Sequence, residues 1–417
     1  MSDARHFVIV GAGQAGRWLA LTLRDSGFTG RLSWFGAERH APYDRPPLSK
    51  AVLKGEASGI ASVQLLDDER FAALACAWHP DTTVTAIDRG ASTITTARGD
   101  RVSYDLLFLA QGGRARRLPG LALHPRVLTL RTWDDAQALK QQLAQARTLL
   151  VLGGGWIGLE VAASARQLGL DVAVLEAAPR LCMRSVPPVV SEHLQGLHER
   201  HGVRVHLGSP VARVAPDDEG VSVTLGDGRT LRADLLLVGI GLVPHDELAA
   251  AAGLPCDNGV LTDAQGRTAD PAIFAVGDMA QALRVDGRRQ RLESWENAQR
   301  QAQAAAKAAL GLAHDAQADG PPWFWSDQYE DNLQVLGEPD GAQHLIERSD
   351  PARRQRLLFF CEGSAIRALV AVNGGRELKL VRKWIRERRF PPLDRLGDTT
   401  IELNKLPLQA AEATTTP

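Results

Sequence analysis

Cysteine is scarce in this sequence, and its four cysteines, Cys76, Cys182, Cys256 and Cys361, lie far apart. Their spacing excludes a C-x-x-C redox pair and a local zinc or iron–sulfur knuckle. Long apolar runs are also missing, because no segment reaches the roughly 18 uninterrupted apolar residues that a transmembrane helix needs. The N-terminus passes from a short polar leader directly into a glycine-rich turn, without the long apolar segment of a signal peptide. We therefore expect a soluble protein in a reducing, cytoplasmic compartment.

The sequence also has no excess of charge of one sign. It has 48 Lys and Arg against 49 Asp and Glu, a net charge of -1. This balance argues against binding nucleic acid or an anionic membrane through a global field. Hydrophobic residues at 44% and charged residues at 23% are typical of a globular chain. The length of 417 residues predicts about three domains.

Two segments repeat one design of strand, glycine-rich turn, helix and strand. Apolar runs at 6–10 and 149–152 begin the two copies, and runs at 32–35 and 172–175 follow the helices. The glycines of the two turns are Gly11, Gly13 and Gly16, and Gly153, Gly155 and Gly158. The first glycine permits a tight turn, the second lets the backbone approach a pyrophosphate, and the third packs helix on strand. Because a helix N-terminus favours negative charge, the two units predict two nucleotide sites.

A carboxylate follows each second strand as a candidate ribose ligand. Glu176 ends the strand of the second unit, where it would accept hydrogen bonds from the ribose hydroxyls of NAD and repel a 2′-phosphate. This favours NADH over NADPH, although the nearby Arg180 and Arg184 are alternatives that would pair with a phosphate. Glu38 is the looser candidate in the first unit, and the other interpretation is an ordinary loop glutamate.

The segment 43–50, YDRPPLSK, follows Glu38. Paired prolines stiffen a loop, so this segment would present Arg45 and Lys50 in a fixed way. The other interpretation is a solvated basic turn.

Further apolar strands are predicted over 104–110, 233–239, 273–276, 357–360 and 366–372. Alternation over 203–207 and 221–225 predicts antiparallel strands that flank a nucleotide sheet. The fold class is therefore α/β, with two interleaved Rossmann-like nucleotide-binding domains and a C-terminal α+β domain. We expect the first domain over 1–115 and 246–320, the second over 116–245, the C-terminal domain over 321–405, and a flexible tail over 406–417.

Long motifs along nearly the whole chain carry a family resemblance. They are GAGQAG, YDRPPLSK, GGGWIGLEVAASARQLG, TADPAIFAVGD, ESWENAQRQAQ, PPWFWSDQYEDNLQ, GREL and RKWI. With them the sequence resembles the FAD-dependent ferredoxin–NAD(+) reductases that serve aromatic ring-hydroxylating dioxygenases. Within that group it is most similar to the reductase subunits of 3-phenylpropionate/cinnamate and anthranilate dioxygenases. The resemblance implies a glutathione-reductase-like arrangement, with FAD on the first glycine unit and NADH on the second.

The resemblance also implies roles for individual residues. Lys50 would lie beside the flavin and pair with Glu160, so that a cation stabilises negative charge on the reduced ring. Glu160 would anchor this lysine or, as an NAD contact, the nicotinamide amide. Without the resemblance, Glu160 is a helix residue favoured by the dipole, Asp278 an N-cap and Trp325 a core aromatic. Further FAD contacts would come from Glu38, Arg45, Val84, Arg131, Asp278, Glu296 and Trp325, and further NAD contacts from Ile157, Glu176, Arg184 and Gly241.

Two positions depart from the family pattern. Many relatives have an aspartate before the residue that corresponds to Glu38, whereas this chain has Ala37. The usual Ala-Thr-Gly after the third strand of the first domain has Gln111 in place of the threonine. The first departure weakens the ribose assignment of Glu38, and the second removes a hydroxyl contact.

The implied reaction passes a hydride from NADH C4 to flavin N5 and then two single electrons to a separate [2Fe–2S] ferredoxin. A basic helix expected at about 377–388 is a candidate dock for this acidic partner. Its basic residues Lys379, Arg382, Arg386 and Arg389 share one face, with Leu378, Val381 and Ile385 facing the core. The other interpretation is a solvated amphipathic helix.

Three other functions stay open. In the first, the chemistry is the same but the ferredoxin serves a haem monooxygenase. The SWENA and SDQY-EDNLQ stretches favour a dioxygenase over this alternative. An NADH oxidase or peroxidase usually needs an isolated reactive cysteine in the first domain, and the PPLSK loop has none. An NADH-sensing flavoprotein resembling apoptosis-inducing factor would carry long insertions, which this sequence lacks.

Overall fold

A computed structural model of the chain describes residues 3–284, 287–313 and 320–411. Its helices are α1 (Gln14–Asp25), α2 (Ala51–Lys54), α3 (Asp68–Ala73), α4 (Trp133–Leu143), α5 (Trp156–Gln167), α6 (Pro188–Arg200), α7 (Glu247–Ala251), α8 (Trp295–Ala309), α9 (Gly375–Glu387) and α10 (Leu393–Leu396). In this part of the chain no helix is long and apolar enough to cross a membrane.

The strands follow in chain order. They are β1 (His6–Val10), β2 (Arg31–Phe35), β3 (Ala77–His79), β4 (Val84–Asp88), β5 (Thr93–Thr96), β6 (Arg101–Ser103), β7 (Leu106–Leu109), β8 (Gly113–Ala115), β9 (Val127–Leu128), β10 (Thr148–Leu152), β11 (Asp171–Leu175), β12 (Arg204–His206), β13 (Val211–Pro216), β14 (Val221–Leu225), β15 (Thr230–Ala233), β16 (Leu235–Val238), β17 (Leu242–Pro244), β18 (Val260–Thr262), β19 (Ile273–Ala275), β20 (Ala280–Leu283), β21 (Arg289–Gln290), β22 (Trp323–Gln328), β23 (Asp331–Gly337), β24 (His344–Asp350), β25 (Gln355–Glu362), β26 (Ala365–Val372), β27 (Arg389–Phe390) and β28 (Gln409–Ala410).

The described residues divide into two compact units. The first unit draws on 3–45, 57–114, 242–284 and 287–313, and the second on 46–56, 115–241 and 320–411. The segment 46–56, which holds Lys50, therefore belongs to the second unit.

A five-stranded parallel sheet organises the first unit, in the order β19-β7-β1-β2-β3. Strand β1 is buried along its whole length, because α1 and α8 pack on one face of the sheet and β4, β5 and α7 pack on the other. Helix α8 packs against α1 through buried alanines, Ala298, Ala302 and Ala305, whose small side chains let two helices approach closely. A three-stranded antiparallel sheet, β4-β5-β6, belongs to the same unit.

A second parallel sheet has the order β12-β11-β10-β16-β9 and belongs to the second unit. An antiparallel sheet, β13-β14-β15, accompanies it, as β4-β5-β6 accompanies the first sheet. The expected antiparallel strand at 221–225 is confirmed by β14. The expected antiparallel strand at 203–207 is wrong, because β12 pairs in parallel with β11. An edge strand has one open side, so its half-buried side chains imitate the alternation of an antiparallel strand.

The C-terminal part of the second unit is a five-stranded antiparallel sheet, β22-β23-β26-β25-β24, covered by α9. Helix α9 buries Leu378, Val381 and Trp384. Ile385 packs against this core, as the sequence predicted, and is half-buried. The buried Trp384 was not predicted.

The structure also corrects the start of the expected tail. Leu406 is buried in the C-terminal core, and Gln409–Ala410 pairs with Arg389–Phe390. Residues 406–411 are therefore part of the folded domain, and the rest of the expected tail, 412–417, lies outside the described residues.

Candidate active site

The glycine turn of the first unit has the geometry of a phosphate cradle. Gly11 has φ +117°, and a Cβ there would lie 2.2 Å from the Ala110 carbonyl oxygen. A Cβ on Gly16 would lie 2.0 Å from the Gly11 carbonyl oxygen, so the turn and helix pack too closely for a side chain. Gly13 instead faces open space and is the N-cap of α1, without a side-chain cap. The first-turn N–H groups of α1 are therefore suited to a pyrophosphate.

Two buried amides next to this turn support the presence of a ligand. The side-chain amide nitrogen and oxygen of Gln14 are buried and have no hydrogen-bond partner among the described residues, and neither has the Gln111 amide oxygen. Buried polar groups in proteins are almost always paired. The residues of the first unit thus fit a bound nucleotide such as FAD, which would supply the missing partners.

The turn of the second unit repeats the cradle. A Cβ on Gly153 would lie 2.4 Å from the Gly239 carbonyl oxygen, and one on Gly158 would lie 2.2 Å from the Gly153 carbonyl oxygen. Gly155 faces open space and is the N-cap of α5, again without a side-chain cap. Ile157, in the first turn of α5, is 45% exposed, which leaves an apolar surface for a ligand.

Glu176 is held in place by the backbone beside this turn. Its Oε2 accepts a hydrogen bond from the Gly154 N–H at 2.6 Å, and its Oε1 accepts one from the Ala178 N–H at 2.7 Å. A carboxylate oxygen has a second lone pair, so both oxygens can still accept from ribose hydroxyls. The geometry thus fits the predicted ribose site.

The two arginines near Glu176 differ in what their guanidinium groups contact. The Arg180 guanidinium donates to the Val186 carbonyl, the Met183 carbonyl and the Ser191 hydroxyl, so it anchors its own loop. A guanidinium nitrogen of Arg184 lies 3.5 Å from where a Cβ on Gly241 would stand. The structure therefore brings together Arg184 and Gly241, two of the predicted NAD contacts.

Glu38 is oriented by residues of the segment that follows it. The Tyr43 hydroxyl donates to Glu38 Oε2 at 2.5 Å, and the Arg45 guanidinium donates to Oε1 at 2.8 Å. Arg45 also lies over the Tyr43 ring, 5.1 Å from its centroid. Arg45 thus positions the ribose candidate Glu38, as backbone N–H groups position Glu176.

Lys50 and Glu160 form a buried ion pair within the second unit. Lys50 Nζ lies 3.0 Å from Glu160 Oε1, and the two side chains are 16% and 5% exposed. The Ser49 hydroxyl donates to Glu160 Oε2 at 2.5 Å, and the Ser326 hydroxyl donates to Oε1 at 2.7 Å. The pair predicted through the resemblance is present, with two serine donors besides the lysine.

The other predicted FAD residues lie in one unit each. In the first unit, Val84 begins β4, Asp278 lies in the short 3-10 helix Gly277–Met279, and Glu296 in α8 pairs with Arg300 at 2.9 Å. In the second unit, Arg131 precedes the capping box of α4. Trp325 stacks on Trp323 with ring centroids 4.9 Å apart.

Sequence reasoning missed the residues that hold Glu160. Ser49 and Ser326 touch it directly, and Gln328 and His198 continue the hydrogen bonds from Ser326. Ser49 and Ser326 lie in the motifs PPLSK and SDQY, but only the folded chain brings them to Glu160.

On α9, Lys379 and Arg386 are exposed, as predicted for a basic face. The predicted place of Arg389 on this face is wrong, because α9 ends at Glu387 and Arg389 begins β27. Arg382 is half-buried, with its guanidinium over the Trp323 ring at 5.7 Å from the centroid. Arg382 therefore also packs on the C-terminal sheet, so its charge is less open to a partner.

Residues 5–302 match the family model described as pyridine nucleotide-disulphide oxidoreductase, and residues 323–407 match the reductase C-terminal family. The chain belongs to the pyridine nucleotide-disulphide oxidoreductases and is an oxidoreductase of the ferredoxin reductase kind, with FAD and NAD(H) as its cofactors. These findings confirm the predicted fold class and cofactors.

Three solved structures show how far the similarity extends. The chain is similar to putidaredoxin reductase, solved in a covalent complex with putidaredoxin, at 37% identity and a TM-score of 0.90 over 96% of this chain and 98% of that chain. It is also similar to the ferredoxin reductase for the CYP199A2 system from Rhodopseudomonas palustris, at 37% identity and a TM-score of 0.91 over 96% and 99%. Fdr9 matches at 30% identity and a TM-score of 0.83 over 96% and 99%.

Proposed function

We propose that this protein is an NADH-dependent ferredoxin reductase that passes electrons from NADH through FAD, one at a time, to a separate [2Fe–2S] ferredoxin. The observation that carries the proposal is the likeness, over 96% of the chain, to a reductase solved in complex with its ferredoxin. FAD supplies the exchange between the two-electron chemistry of NADH and the one-electron chemistry of an iron–sulfur protein.

In this proposal the residues of the chain bind FAD and NADH, orient them and place charge beside the flavin. Gly11, Gly13 and Gly16 hold the FAD pyrophosphate, and the Gly153 turn holds that of NADH. Lys50 places a positive charge beside the flavin, and Glu160 keeps that ammonium in place. Remaining FAD contacts come from Glu38, Arg45, Val84, Arg131, Asp278, Glu296 and Trp325, and remaining NAD contacts from Ile157, Glu176, Arg184 and Gly241.

The cysteines support a ferredoxin as acceptor rather than a disulfide or a peroxide. Cys76, Cys182, Cys256 and Cys361 are all described and all free. Burial raises the pKa of the thiol of Cys76, the one cysteine of residues 1–115, which disfavours the reactive thiolate. An NADH oxidase or peroxidase that works through a reactive cysteine would need a thiol with a lowered pKa.

For the client of the ferredoxin, we propose an aromatic ring-hydroxylating dioxygenase, on the SWENA and SDQY-EDNLQ stretches. A second candidate is a haem monooxygenase, favoured by the 37% identity to a ferredoxin reductase of a CYP system. The chemistry of the reductase is the same in both cases, so only the surface of the ferredoxin distinguishes the two clients.

A steady-state comparison tests the proposed client. The FAD-loaded chain is given NADH and either a Rieske-type ferredoxin of a dioxygenase system or the [2Fe–2S] ferredoxin of a haem monooxygenase, and kcat/KM is measured for each. We expect the Rieske-type ferredoxin to be the better substrate by at least about tenfold, the ratio that about 1.4 kcal/mol of differential binding gives. A higher kcat/KM with the ferredoxin of the haem monooxygenase would assign the protein to the haem monooxygenase systems.

A further inference from the structure

A chain of hydrogen bonds leads away from the Lys50–Glu160 pair into the second unit. Ser326 Oγ lies 2.7 Å from Glu160 Oε1, and Gln328 Nε2 lies 3.0 Å from Ser326 Oγ. Gln328 Oε1 lies 2.8 Å from His198 Nε2 on α6. Glu160, Ser326, Gln328 and His198 are each 4% exposed or less.

The negative charge of Glu160 fixes the direction of every bond in this chain. A carboxylate accepts only, so Ser326 must donate its single hydroxyl hydrogen to Glu160. Ser326 can then only accept from its other neighbour, which requires the NH₂ group of Gln328 at that side. The Gln328 amide oxygen therefore faces His198, whose Nε2 must carry a hydrogen.

The surroundings of His198 agree with this direction. His198 is fully buried, and burial lowers its pKa to about 4, so the ring is neutral at pH 7. With the hydrogen on Nε2, Nδ1 is an acceptor, and the Tyr329 hydroxyl faces it at 3.4 Å. Tyr329 in turn stacks on His201, with ring centroids 3.7 Å apart. From Tyr329 to Glu160, each group donates toward the carboxylate.

The turn between β22 and β23 has separate anchors on α6. His193 Nε2 lies 3.0 Å from Asp331 Oδ2, and His201 Nε2 lies 3.1 Å from Glu330 Oε2. The His193–Asp331 contact fixes the hairpin without touching the chain of hydrogen bonds, whereas His201 also stacks on Tyr329. Stability and orientation can therefore be separated by mutation.

We propose that Ser326, Gln328 and His198 are positioning residues, whose directed hydrogen bonds hold the Glu160 carboxylate and, through it, the Lys50 ammonium at one place and in one orientation. The inference rests on the proposed placement of Lys50 beside the flavin. Lys50 lies between the 3-10 helix Pro46–Ser49 and α2, and its Nζ donates to Glu160. Without a fixed Glu160, its long side chain gains rotamers, and its charge moves away from the flavin.

The first test reverses the direction of the hydrogen bond between Gln328 and Ser326. Gln328→Glu keeps the size of the side chain, but the new carboxylate would accept the Ser326 hydrogen and withdraw it from Glu160. In the FAD-loaded full chain we expect a more negative FAD midpoint potential, measured against reference dyes. We also expect FAD reduction by NADH to be about tenfold to a hundredfold slower, the effect of one charge-assisted hydrogen bond. His193→Ala, which removes an anchor of the hairpin, is the control and should lower the melting temperature without changing the potential.

A matched pair at His198 tests the predicted donor. His198→Gln can place an NH₂ group where Nε2–H stands and should keep the wild-type potential, whereas His198→Phe removes the donor and should shift the potential as Gln328→Glu does. Equal FAD midpoint potentials in His198→Gln and His198→Phe would overturn the proposal. So would a Gln328→Glu variant with the wild-type potential.

A double-variant cycle tests whether the chain acts through Lys50. Gln328→Glu should slow FAD reduction in the wild-type background and add nothing in the Lys50→Met background. Equal slowing in both backgrounds would contradict the positioning role. Neither the potential nor the reduction by NADH involves a ferredoxin, so these results are independent of whether the protein reduces one.

Discussion

We propose that Glu176 is the side chain that distinguishes NADH from NADPH in this protein. Two backbone N–H groups orient its carboxylate, and its charge would repel a 2′-phosphate. We expect Glu176→Gln to raise the KM for NADH about tenfold, because two charge-assisted hydrogen bonds weaken. The preference for NADH over NADPH should fall, with Arg184 available to the phosphate.

The measurement for Glu176 is kcat/KM for both coenzymes with ferricyanide as acceptor. Arg180→Lys is the control, since Arg180 is engaged by its own loop, and it should leave the coenzyme ratio unchanged. An unchanged ratio in Glu176→Gln would contradict the assignment of the ribose site.

His198 makes the free energy of unfolding depend on pH. Its pKa is lowered by burial to about 4, against an ordinary value of 6.5. As the pH falls below 6.5, the unfolded chain binds a proton that the folded chain does not, so the free energy of unfolding decreases. The expected loss from this residue is about 2 kcal/mol at pH 5 relative to pH 7.5.

Urea unfolding of the FAD-loaded chain at pH 7.5 and pH 5 measures this loss. His198→Gln has no titrating group at this position, so its free energy of unfolding should decrease by about 2 kcal/mol less than that of the wild type. An equal decrease in both proteins would show that His198 is not buried in the neutral form.

At the scale of elements, α9 is the predicted dock for the ferredoxin. Lys379 and Arg386 are two turns apart on its exposed face, whereas Arg382 between them lies over Trp323. We expect the double variant Lys379→Glu, Arg386→Glu to raise the KM for ferredoxin at least about tenfold at low salt, because charge steering is lost. The difference should shrink at high salt.

A control of equal charge is available on the same unit. Arg213→Glu with Arg229→Glu changes two exposed arginines of the β13-β14-β15 region by the same net charge. It should leave the KM for ferredoxin near the wild-type value. If both double variants raise the KM equally, net charge and not α9 governs the encounter.

The elements with a strong local pattern could be predicted from the sequence. Buried parallel strands appear as short apolar runs, and β1, β10, β11 and β19 lie where those runs were found. The glycine spacing predicted the packing of Gly11 and Gly16, because only glycine allows such close backbone contacts. Strand β12 was given the wrong direction, since alternation describes burial and not the direction of the partner strand.

The candidate site was predictable only in part. Glu160 and Lys50 were paired through a family resemblance, and the structure places them 3.0 Å apart. Ser326 and His198 could not be paired with Glu160 from the sequence, because their contacts join distant segments and leave no local periodicity. Trp384 on α9 was missed for the same reason, since the sheet beneath decides which further side chains are covered.

For the whole molecule, the central claim is an electron balance. One NADH gives two electrons, each oxidised [2Fe–2S] ferredoxin takes one, and the products are NAD⁺, two reduced ferredoxins and one proton. The balance is measured without oxygen, with the FAD-loaded chain, limiting NADH and an excess of a Rieske-type ferredoxin. We expect two reduced ferredoxins for each NADH consumed. FAD that NADH reduces while the ferredoxin stays oxidised would contradict it and indicate an oxidase or a sensor.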